Sequence, residues 1–464
     1  MVKSSRVGPP TRQWWCCLTN HLNEGMRSIR LFFTVIALLV MTQNPAFSAP
    51  DGIDHYRAGN EKAAAGDYKS AVVEYTKAIK QDPKSAQAYN NRGAVKIALG
   101  ERSGAMADYQ KAVTLKPDYA EAYYNYGVVK NELGDFTGAI AYYTKALELN
   151  PRLTSVYFSR ASAKGGLGDN EGALADYSLA IEANTDNADA YNNRAVMKNK
   201  AGDKEGAVAD LVKAVQAYFK IALARAEKGD NKGAIALYTR VIAISSKNAD
   251  AYNNRANAKN NLGDTEGALA DYTKAIELNP KFALAYTNRG YLRMRLGDKT
   301  GALADCTKAI ELDPKSSDGY FRRGIAQATL GAYQQAIADY TKAIKYNPQS
   351  ALAYLNRGNA EEKLEKKEAA LADYTKAIEL DPKNADAYFN RGFVKDEQKD
   401  KQGAVADYTR AIECNAQYAK AYYKRGVAKS DLGDEKGAIA DMQQAAKAGL
   451  PSAQTLLKSK GMSW

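Results

Sequence analysis

The sequence predicts an all-α fold made of stacked helical hairpins, and three observations lead to this prediction. The segment "GALADYTKAIELNP" at residues 267–280 returns as "GALADCTKAIELDP" at residues 301–314, which sets a period of 34 residues. Within each period, apolar or small residues recur at positions 4 and 8 and again at 20, 24 and 27, which is helical spacing twice over. Glycine after the first helical stretch and proline after the second mark helix ends, as in Gly263 and Pro280. Since one hairpin cannot bury its own apolar face, neighbouring hairpins are expected to stack into a solenoid.

Alignment on this period gives twelve units, so nearly all of the chain after residue 50 is repeat. The units begin at residues 52, 86, 120, 154, 188, 215, 249, 283, 317, 351, 385 and 419.

Each unit carries its own signals for where helices end. Glycine and aspartate stand between the two halves, as in Gly263 and Asp264, and supply a left-handed stop followed by an N-cap for the second helix. Proline at position 32, as in Pro280 and Pro314, prevents the second helix from continuing.

Side-chain sizes within the unit point to a known family. Small residues occupy positions 8 and 20, as in Ala256 and Ala268, with tyrosine at positions 4 and 24 and proline at 32. This pattern resembles the tetratricopeptide repeat (TPR) family over residues 52 to about 452. The resemblance implies a right-handed superhelical solenoid of about twelve 34-residue helix-turn-helix units whose first helices line a concave groove.

The repeat pattern is interrupted once. Gly202 and Gly229, both at position 15, are 27 residues apart, and the residues lost are those of the turn between units. We therefore predict a tighter turn or a fused helix near residue 214, dividing the repeats into residues 52–214 and 215–452. At the far end, Leu456 and Leu457 predict a C-terminal capping helix over residues 453–464.

The start of the chain predicts export. Within residues 26–48, two arginines precede an eleven-residue apolar run from Leu31 to Met41, and residues 46–48 fit a signal-peptidase cleavage pattern. The run is shorter than a membrane-spanning helix needs. A cleaved signal and a periplasmic or outer-envelope location are expected, with an uncleaved anchor as the alternative. Residues 1–25 are interpreted as an upstream extension or a misassigned start.

Composition argues against several functions. Without residues 1–50, which hold five of the 65 Lys and Arg and one of the 53 Asp and Glu, the net charge falls from +12 to +8. Because the two signs are interleaved, nucleic-acid binding is not expected. The thiols that remain are Cys306 and Cys414 and the imidazole is His55, a set too small for a metal cluster or a Cys-His catalytic pair. We interpret Cys306 as a buried thiol and His55 as a core aromatic, and expect no cofactor and no enzyme activity.

Arginine occupies position 7 of nine units, although that position should be buried and the family usually has leucine there. Aspartate occupies position 23 of the same nine units, and units without the arginine lack the aspartate. We predict intra-repeat ion pairs, because a buried guanidinium needs a carboxylate. The alternative is a basic ladder for anionic ligands. The predicted pairs are Arg92 with Asp108, Arg160 with Asp176, Arg194 with Asp210, Arg255 with Asp271, Arg289 with Asp305, Arg323 with Asp339, Arg357 with Asp373, Arg391 with Asp407 and Arg425 with Asp441.

Positions 2, 5, 6, 9 and 13 of the first helix cluster away from the packing positions and are predicted to face the groove. Apolar residues repeated there predict a binding surface, whereas the alternative is that position 5 is half-buried against the neighbouring hairpin. Position 5 carries Tyr56, Tyr124, Phe158, Phe219, Phe321, Phe389 and Tyr423. Position 9 carries Val128, Val196, Leu223, Tyr291, Ile325, Phe393 and Val427.

Asparagine fills position 6 in seven units and predicts contact with a partner's backbone, because a carboxamide offers a donor and an acceptor together. The arrangement is similar to the asparagine ladder in the TPR superhelix of O-linked N-acetylglucosamine transferases. The alternative is a tolerated polar residue on a solvated face. The seven are Asn91, Asn125, Asn193, Asn254, Asn288, Asn356 and Asn390.

The function expected from these patterns is a non-catalytic scaffold that binds extended segments of other proteins in the cell envelope. The alternative is an accessory subunit of envelope glycan or polysaccharide machinery, in which aromatic residues at position 5 stack on sugars.

Overall fold

A computed structural model describes residues 50–464, and in this range the chain forms 24 α-helices and no β-strand. The all-α prediction is confirmed. The signal peptide predicted at residues 26–48 and the extension at residues 1–25 lie outside the described residues. No helix between residues 50 and 464 is both long and apolar enough to cross a membrane.

Residues 50–247 form the described part of a first compact unit. This part contains six hairpins. The first four have two helices each, and the fifth and sixth share one helix. The helices are α1 Pro50–Ala64, α2 Tyr68–Gln81, α3 Ala86–Ala98, α4 Arg102–Leu115, α5 Ala120–Glu132, α6 Phe136–Leu149, α7 Thr154–Leu167, α8 Asn170–Ala183, α9 Ala188–Lys200, α10 Lys204–Glu227 and α11 Asn231–Ile244.

Residues 248–464 form a second compact unit of six regular hairpins and a terminal helix. We number the hairpins 7 to 12 in this unit, continuing from hairpins 1 to 6 in the first. The helices are α12 Ala249–Asn261, α13 Thr265–Leu278, α14 Ala283–Arg295, α15 Lys299–Leu312, α16 Ser317–Thr329, α17 Tyr333–Tyr346, α18 Ala351–Lys363, α19 Lys367–Leu380, α20 Ala385–Glu397, α21 Lys401–Cys414, α22 Ala419–Asp431, α23 Glu435–Lys447 and α24 Pro451–Ser459.

Hairpin 7 shows how the local sequence ends each helix. Gly263 adopts φ +84°, the left-handed conformation that stops α12. The Asp264 side chain accepts a hydrogen bond of 2.9 Å from the backbone N–H of Gly267 and caps α13. After α13, the side chain of Asn279 accepts a bond of 3.1 Å from the N–H of Lys281, which forms the turn into the next hairpin.

The core of each hairpin is an alanine seam filled by the tyrosine at position 24. Ala256 and Ala268 are fully buried where α12 crosses α13, and Tyr272 lies beside them. A β-carbon added at Gly358, which is at position 8 of hairpin 10, would lie 2.8 Å from the ring of Tyr374. Small residues at position 8 therefore provide the space that the position-24 ring occupies.

The short repeat at the centre of the sequence becomes one continuous helix, α10, which is 24 residues long. It supplies the second helix of hairpin 5 and the first helix of hairpin 6, which is the fused form of the two predicted alternatives. The boundary between the two compact units falls between Lys247 and Asn248 in the sequence, whereas the sequence analysis divided the repeats near residue 214. The physical reason is that α10 is continuous and packs on both α9 and α11, so no break in packing falls within it.

The last hairpin is covered by α24, which spans residues 451–459 where the sequence predicted 453–464. Leu457 is buried against Met442, and Leu456 is half-buried beside it. The described chain therefore ends with its final apolar face covered.

Candidate partner-binding face

The arginine at position 7 is held inside its own hairpin. In hairpin 7, Nε and NH2 of Arg255 donate to the two carboxylate oxygens of Asp271 at 2.8 and 2.7 Å. The same two-point geometry is present in all nine predicted pairs, with donor–acceptor distances of 2.6–2.9 Å. The aspartates are buried, so the guanidiniums neutralise interior charges. A basic ladder for anionic ligands therefore has no free guanidinium at this position in the nine pairs.

The same arginines also connect consecutive hairpins. NH1 of Arg289 donates to the hydroxyl of Thr273 in the preceding hairpin at 3.2 Å, and NH1 of Arg357 donates likewise to Thr341 at 3.0 Å. The Arg289 guanidinium carbon lies 5.7 Å from the centroid of the Tyr286 ring at position 4. Position 7 thus ties together both helices of its hairpin and the hairpin before it.

A second cation joins the aspartate in seven of the nine pairs. It comes from position 11, one turn after the arginine; in hairpin 8, Arg293 donates to Asp305 at 2.9 Å. The corresponding contacts are Lys96 with Asp108, Lys164 with Asp176, Lys198 with Asp210, Lys259 with Asp271, Lys395 with Asp407 and Lys429 with Asp441. Hairpins 9 and 10 carry Gln327 and Glu361 at this position instead.

Glu361 brings a second carboxyl group against Asp373 in hairpin 10. The residue is buried, and its Oε2 has no hydrogen-bond partner among the described residues. Burial, followed by the negative charge of Asp373, raises the pKa of Glu361 to about 7. Hairpin 10 is therefore the one of the nine in which the interior carboxylate faces another acid.

Two of the position-6 asparagines are buried within the first compact unit. The Asn91 amide donates to the hydroxyl of Tyr56 at 2.9 Å and to Oδ1 of Asn60 at 3.1 Å, and Asn91 is only 3% exposed. Asn125 is also buried and donates to Oδ1 of Asn90 at 2.9 Å. These two amides are occupied by the preceding hairpin and are not presented to a partner.

The other five asparagines are half-buried. Asn288 donates to Oδ1 of Asn253 at 3.1 Å and Asn390 donates to Oδ1 of Asn359 at 2.8 Å, which again links consecutive hairpins. This linking role was missed by the sequence analysis, although asparagines at positions 5 and 9 of the preceding units signal it. The Asn193 amide donates to the Tyr177 hydroxyl at 3.3 Å, and the Asn356 amide donates to the Leu352 carbonyl at 2.8 Å. The side-chain oxygen of Asn254 accepts a hydrogen bond of 3.2 Å from the Asn253 amide.

The aromatic residues at position 5 pack against the position-24 tyrosine of their own hairpin. The ring of Phe158 meets that of Tyr177 edge-on, with centroids 5.6 Å apart, and Tyr124 is buried against Tyr143. The alternative of a half-buried position 5 is thus closer to the structure than an open contact surface, although the neighbour is the same hairpin. The other pairs are Tyr56 with Tyr75, Phe219 with Tyr238, Phe321 with Tyr340 and Phe389 with Tyr408, and Tyr423 packs in the terminal cluster under α24.

Exposed apolar side chains on the first helices are found at positions 2 and 9, and exposed leucines such as Leu167 and Leu296 also stand at position 14, where these helices end. Tyr291, at position 9 of hairpin 8, is 42% exposed, and Leu223 at the same position of hairpin 6 is 44% exposed. Position 2 adds Leu284, 52% exposed, and Leu352, 55% exposed. Val196 is buried, and Val128, Ile325, Phe393 and Val427 are half-buried. In the second compact unit, the exposed large apolar residues at positions 2 and 9 therefore belong to hairpins 8 and 10.

His55 is not the core aromatic that the sequence predicted. Its side chain is 33% exposed, and Nδ1 lies 2.7 Å from Oε2 of Glu74. Hydrogen bonds from Lys77 and then His55 lower the pKa of Glu74. The reason is that hairpin 1 has Ala58 in place of the usual arginine, so position 4 supplies a donor to the position-23 carboxylate.

The described residues offer little for catalysis. Cys306 is buried as predicted, and burial raises the pKa of its thiol to about 12, so the thiol is neutral at pH 7. No group of three or more His, Cys, Asp and Glu side chains within residues 50–464 is arranged to hold a metal ion.

Solved structures to which this chain is similar include MamA, YrrB and yeast Tom70. MamA is 26% identical over 36% of this chain and 96% of its own, with a TM-score of 0.34. YrrB, described as a TPR protein with an unusual peptide-binding site, is 25% identical over 41% of this chain and 97% of its own, with a TM-score of 0.36. Yeast Tom70 is 17% identical over 88% of this chain and 99% of its own, with a TM-score of 0.35. A comparison with curated proteins found no match.

Family models for the tetratricopeptide repeat match most of the chain between residues 59 and 448. One matches residues 120–153, 249–282, 283–316 and 317–350, and another matches 385–418 and 419–448. A TPR repeat model matches residues 59–100, 95–132, 222–263 and 362–399. Together with the hairpins themselves, these matches show that the chain belongs to the tetratricopeptide repeat family.

Proposed function

We propose that this chain is a non-catalytic scaffold that binds extended segments of other proteins along the first helices of its hairpins. The observation that carries the proposal is the contrast between two faces of those helices. Positions 7 and 11 carry charges that are paired inside the protein, whereas positions 2 and 9 of hairpins 8 and 10 expose Leu284, Tyr291 and Leu352. Exposed apolar side chains repeated along one face are typical of an interaction surface.

The asparagine ladder has a reduced part in this proposal. Asn91 and Asn125 are buried, and Asn288 and Asn390 donate to the preceding hairpin, so recognition of a partner's backbone falls to half-buried amides such as Asn356. The amide of Asn356 donates to a carbonyl of its own helix, which already has its helical partner, and this bond is readily exchanged for one to a ligand.

Glycan binding is the second function considered, and the geometry offers it less support. Stacking on a sugar needs an open aromatic face, but the position-5 rings are packed against position-24 tyrosines. Tyr291 is the exposed tyrosine of the first-helix face, and two arginines approach its ring. A partner made of peptide matches this mixture of leucine, amide and guanidinium groups better than a glycan does.

The place where the scaffold acts is proposed to be the cell envelope, since the pattern of residues 26–48 is that of a secretory signal. To test this proposal, cells that make the full chain are fractionated, and the intact mass of the recovered protein is measured. Recovery in the envelope fraction with the leader removed supports the proposal, and recovery of the full-length chain in the cytoplasm contradicts it.

The binding function is tested by comparing partners captured by the wild-type chain and by a Leu284→Ser, Leu352→Ser double variant, each then tested again with the purified partner. We expect the variant to lose at least one direct partner while its circular dichroism is unchanged. The matched control is Leu330→Ser, because Leu330 is 45% exposed but lies at the turn between α16 and α17. An identical set of direct partners for all three chains would contradict the proposal.

A further inference from the structure

Positions 2, 6, 9 and 13 of each first helix form one continuous stripe, because they are separated by four, three and four residues. In α14 the stripe reads Leu284, Asn288, Tyr291 and Arg295. The first helices α14 and α16 are in direct contact, as are α16 and α18. The stripes of hairpins 8, 9 and 10 therefore lie side by side.

These three stripes together form one patch, in which Tyr291 lies between two guanidinium groups. The guanidinium carbon of Arg322, from the next hairpin, lies 4.4 Å from the Tyr291 ring centroid, and that of Arg295 lies 6.0 Å from it. Asp318 holds Arg322 with a contact of 2.7 Å. Arg322 is therefore neutralised and fixed over the ring.

Arg295 differs from Arg322 in its partner. Its side chain is exposed, and its hydrogen bond goes to the neutral amide oxygen of Asn260 at 3.3 Å rather than to a carboxylate. An exposed guanidinium beside an aromatic ring is well suited to a carboxylate, which it can bind through two hydrogen bonds. The patch thus offers a site for one negative charge.

Apolar anchors lie at the opposite end of the stripes from this charged centre. Leu284 is at position 2 of α14 and Leu352 is at position 2 of α18, and both expose more than half of their surface. Leu284 and Arg295 are eleven residues apart on α14, which is about 16 Å along the helix axis. An extended chain advances about 3.3 Å per residue and covers that distance with about five residues.

We propose that the stripes of α14, α16 and α18 bind an extended partner segment in which a carboxylate side chain lies about five positions from an aliphatic or aromatic residue. This inference rests on the proposed function and specifies its partner. The carboxylate binds Arg295 beside Tyr291, and the apolar residue packs on Leu284, at the end of the patch where Leu352 is also exposed. The stripes beyond the patch carry Asp250 on α12 and Asp386 with Glu397 on α20, which disfavour further acidic residues and set the limits of the site.

The experiment is a selection of random peptides of about 12 residues, displayed on phage, against the full chain, followed by affinity measurements on the enriched peptides by fluorescence anisotropy. We expect the enriched peptides to carry Asp or Glu about five positions from a Leu, Ile or Phe residue. Arg295→Glu should weaken them about tenfold or more, and Leu284→Ser should weaken them severalfold. Repeating the selection on the Arg295→Glu chain should replace the acidic residue by Lys or Arg.

Leu223→Ser is the matched control. Leu223 is 44% exposed at position 9 of hairpin 6, which belongs to the first compact unit, and its substitution should leave the affinities unchanged. The milder Arg295→Gln, with circular dichroism of every variant, separates lost recognition from lost folding. Enriched peptides without an acidic preference, or peptides that bind Arg295→Glu and Leu284→Ser as well as wild type, overturn this inference but leave the proposed function in place. Failure to enrich any peptide overturns both.

Discussion

Hairpins 8 and 10 share a leucine at position 2 and an asparagine at position 6 of the outer face, and they differ in their interiors. Both expose a leucine at position 2, and both hold an arginine–aspartate pair with distances of 2.7–2.9 Å. Hairpin 8 adds Arg293 to its aspartate, whereas hairpin 10 places Glu361 there. The difference shows that this repeat can vary its internal stability while keeping its binding positions, because the two sets of residues lie on different faces of one helix.

The turn between the two helices of each hairpin also differs between hairpins 8 and 10. In hairpin 8, Gly297 adopts φ +86° and the Asp298 side chain accepts a bond of 2.8 Å that caps α15. In hairpin 10, Glu365 adopts φ +58°, and Lys366 caps α19 without a side-chain hydrogen bond. We therefore expect hairpin 10 to be the less stable of the two, and four predictions test this.

The largest effect is expected from removing the interior aspartates. Asp305→Asn removes the buried carboxylate that Arg289 and Arg293 share and should lower the free energy of unfolding by about 3 kcal/mol. Asp373→Asn should cost about half as much, because it also removes the charge that opposes ionisation of Glu361. Urea unfolding followed by circular dichroism measures both. Equal losses would show that the two interiors do not differ.

The second prediction concerns pH. The pKa of Glu361 is about 7 in the folded chain against an ordinary value of 4.5, so the folded state binds more protons between these values. Stability should therefore fall as pH rises from about 4.5 to about 7, and the loss should persist above that window. Glu361→Lys, which imitates the lysine of hairpin 7, should remove this dependence and raise the free energy of unfolding at pH 8 by about 2 kcal/mol.

The control for the pH prediction is the opposite exchange in hairpin 8. Arg293→Glu should place two carboxyl groups together beside Asp305 and create the same loss of stability above neutral pH. Unfolding midpoints measured from pH 5 to pH 8 report both variants. A wild-type pH profile that Glu361→Lys leaves unaltered would show that another group is responsible.

The third prediction exchanges the residues at position 15. Glu365→Gly should stabilise the chain by about 1 kcal/mol, because a left-handed conformation costs a residue with a β-carbon about that much. Gly297→Ala should destabilise it by a similar amount for the same reason. Thermal unfolding is sufficient for this measurement, and changes of the same sign in both variants would contradict the explanation.

The smallest effect is expected where the two hairpins are alike. Thr273→Ala and Thr341→Ala each remove a hydrogen bond from the position-7 arginine to the preceding hairpin, at 3.2 and 3.0 Å. Each should cost about 0.5 kcal/mol, and the two losses should be equal within error. A clear inequality would mean that the interior difference between hairpins 8 and 10 extends to their neighbours.

Much of the fold could be predicted because its determinants are local. Helix boundaries are set by backbone conformation and capping at residues such as Gly263, Asp264 and Pro280, and these depend on a few neighbouring residues. The arginine–aspartate pairs could be predicted because both members vary together along one chain. The fused helix α10 followed from a seven-residue deletion that removed the turn residues.

The candidate site was harder to predict. Asn91 and Asn288 occupy the same position and have the same residue type, yet one is buried and the other half-buried. Position 5 was expected to be open, but the tyrosine at position 24 covers it. His55 was expected in the core, but it contacts Glu74, because hairpin 1 has no arginine at position 7 to bind that carboxylate.

The repeat period, the helix ends and the paired charges could all be predicted from residue type and spacing, since they depend on local geometry and charge. The packing of the hairpins decided which polar side chains bind one another and which apolar ones stay open at Leu284, Tyr291 and Leu352. Burial depends on what neighbouring hairpins place above each residue, and a helical spacing rule carries no information about that neighbour.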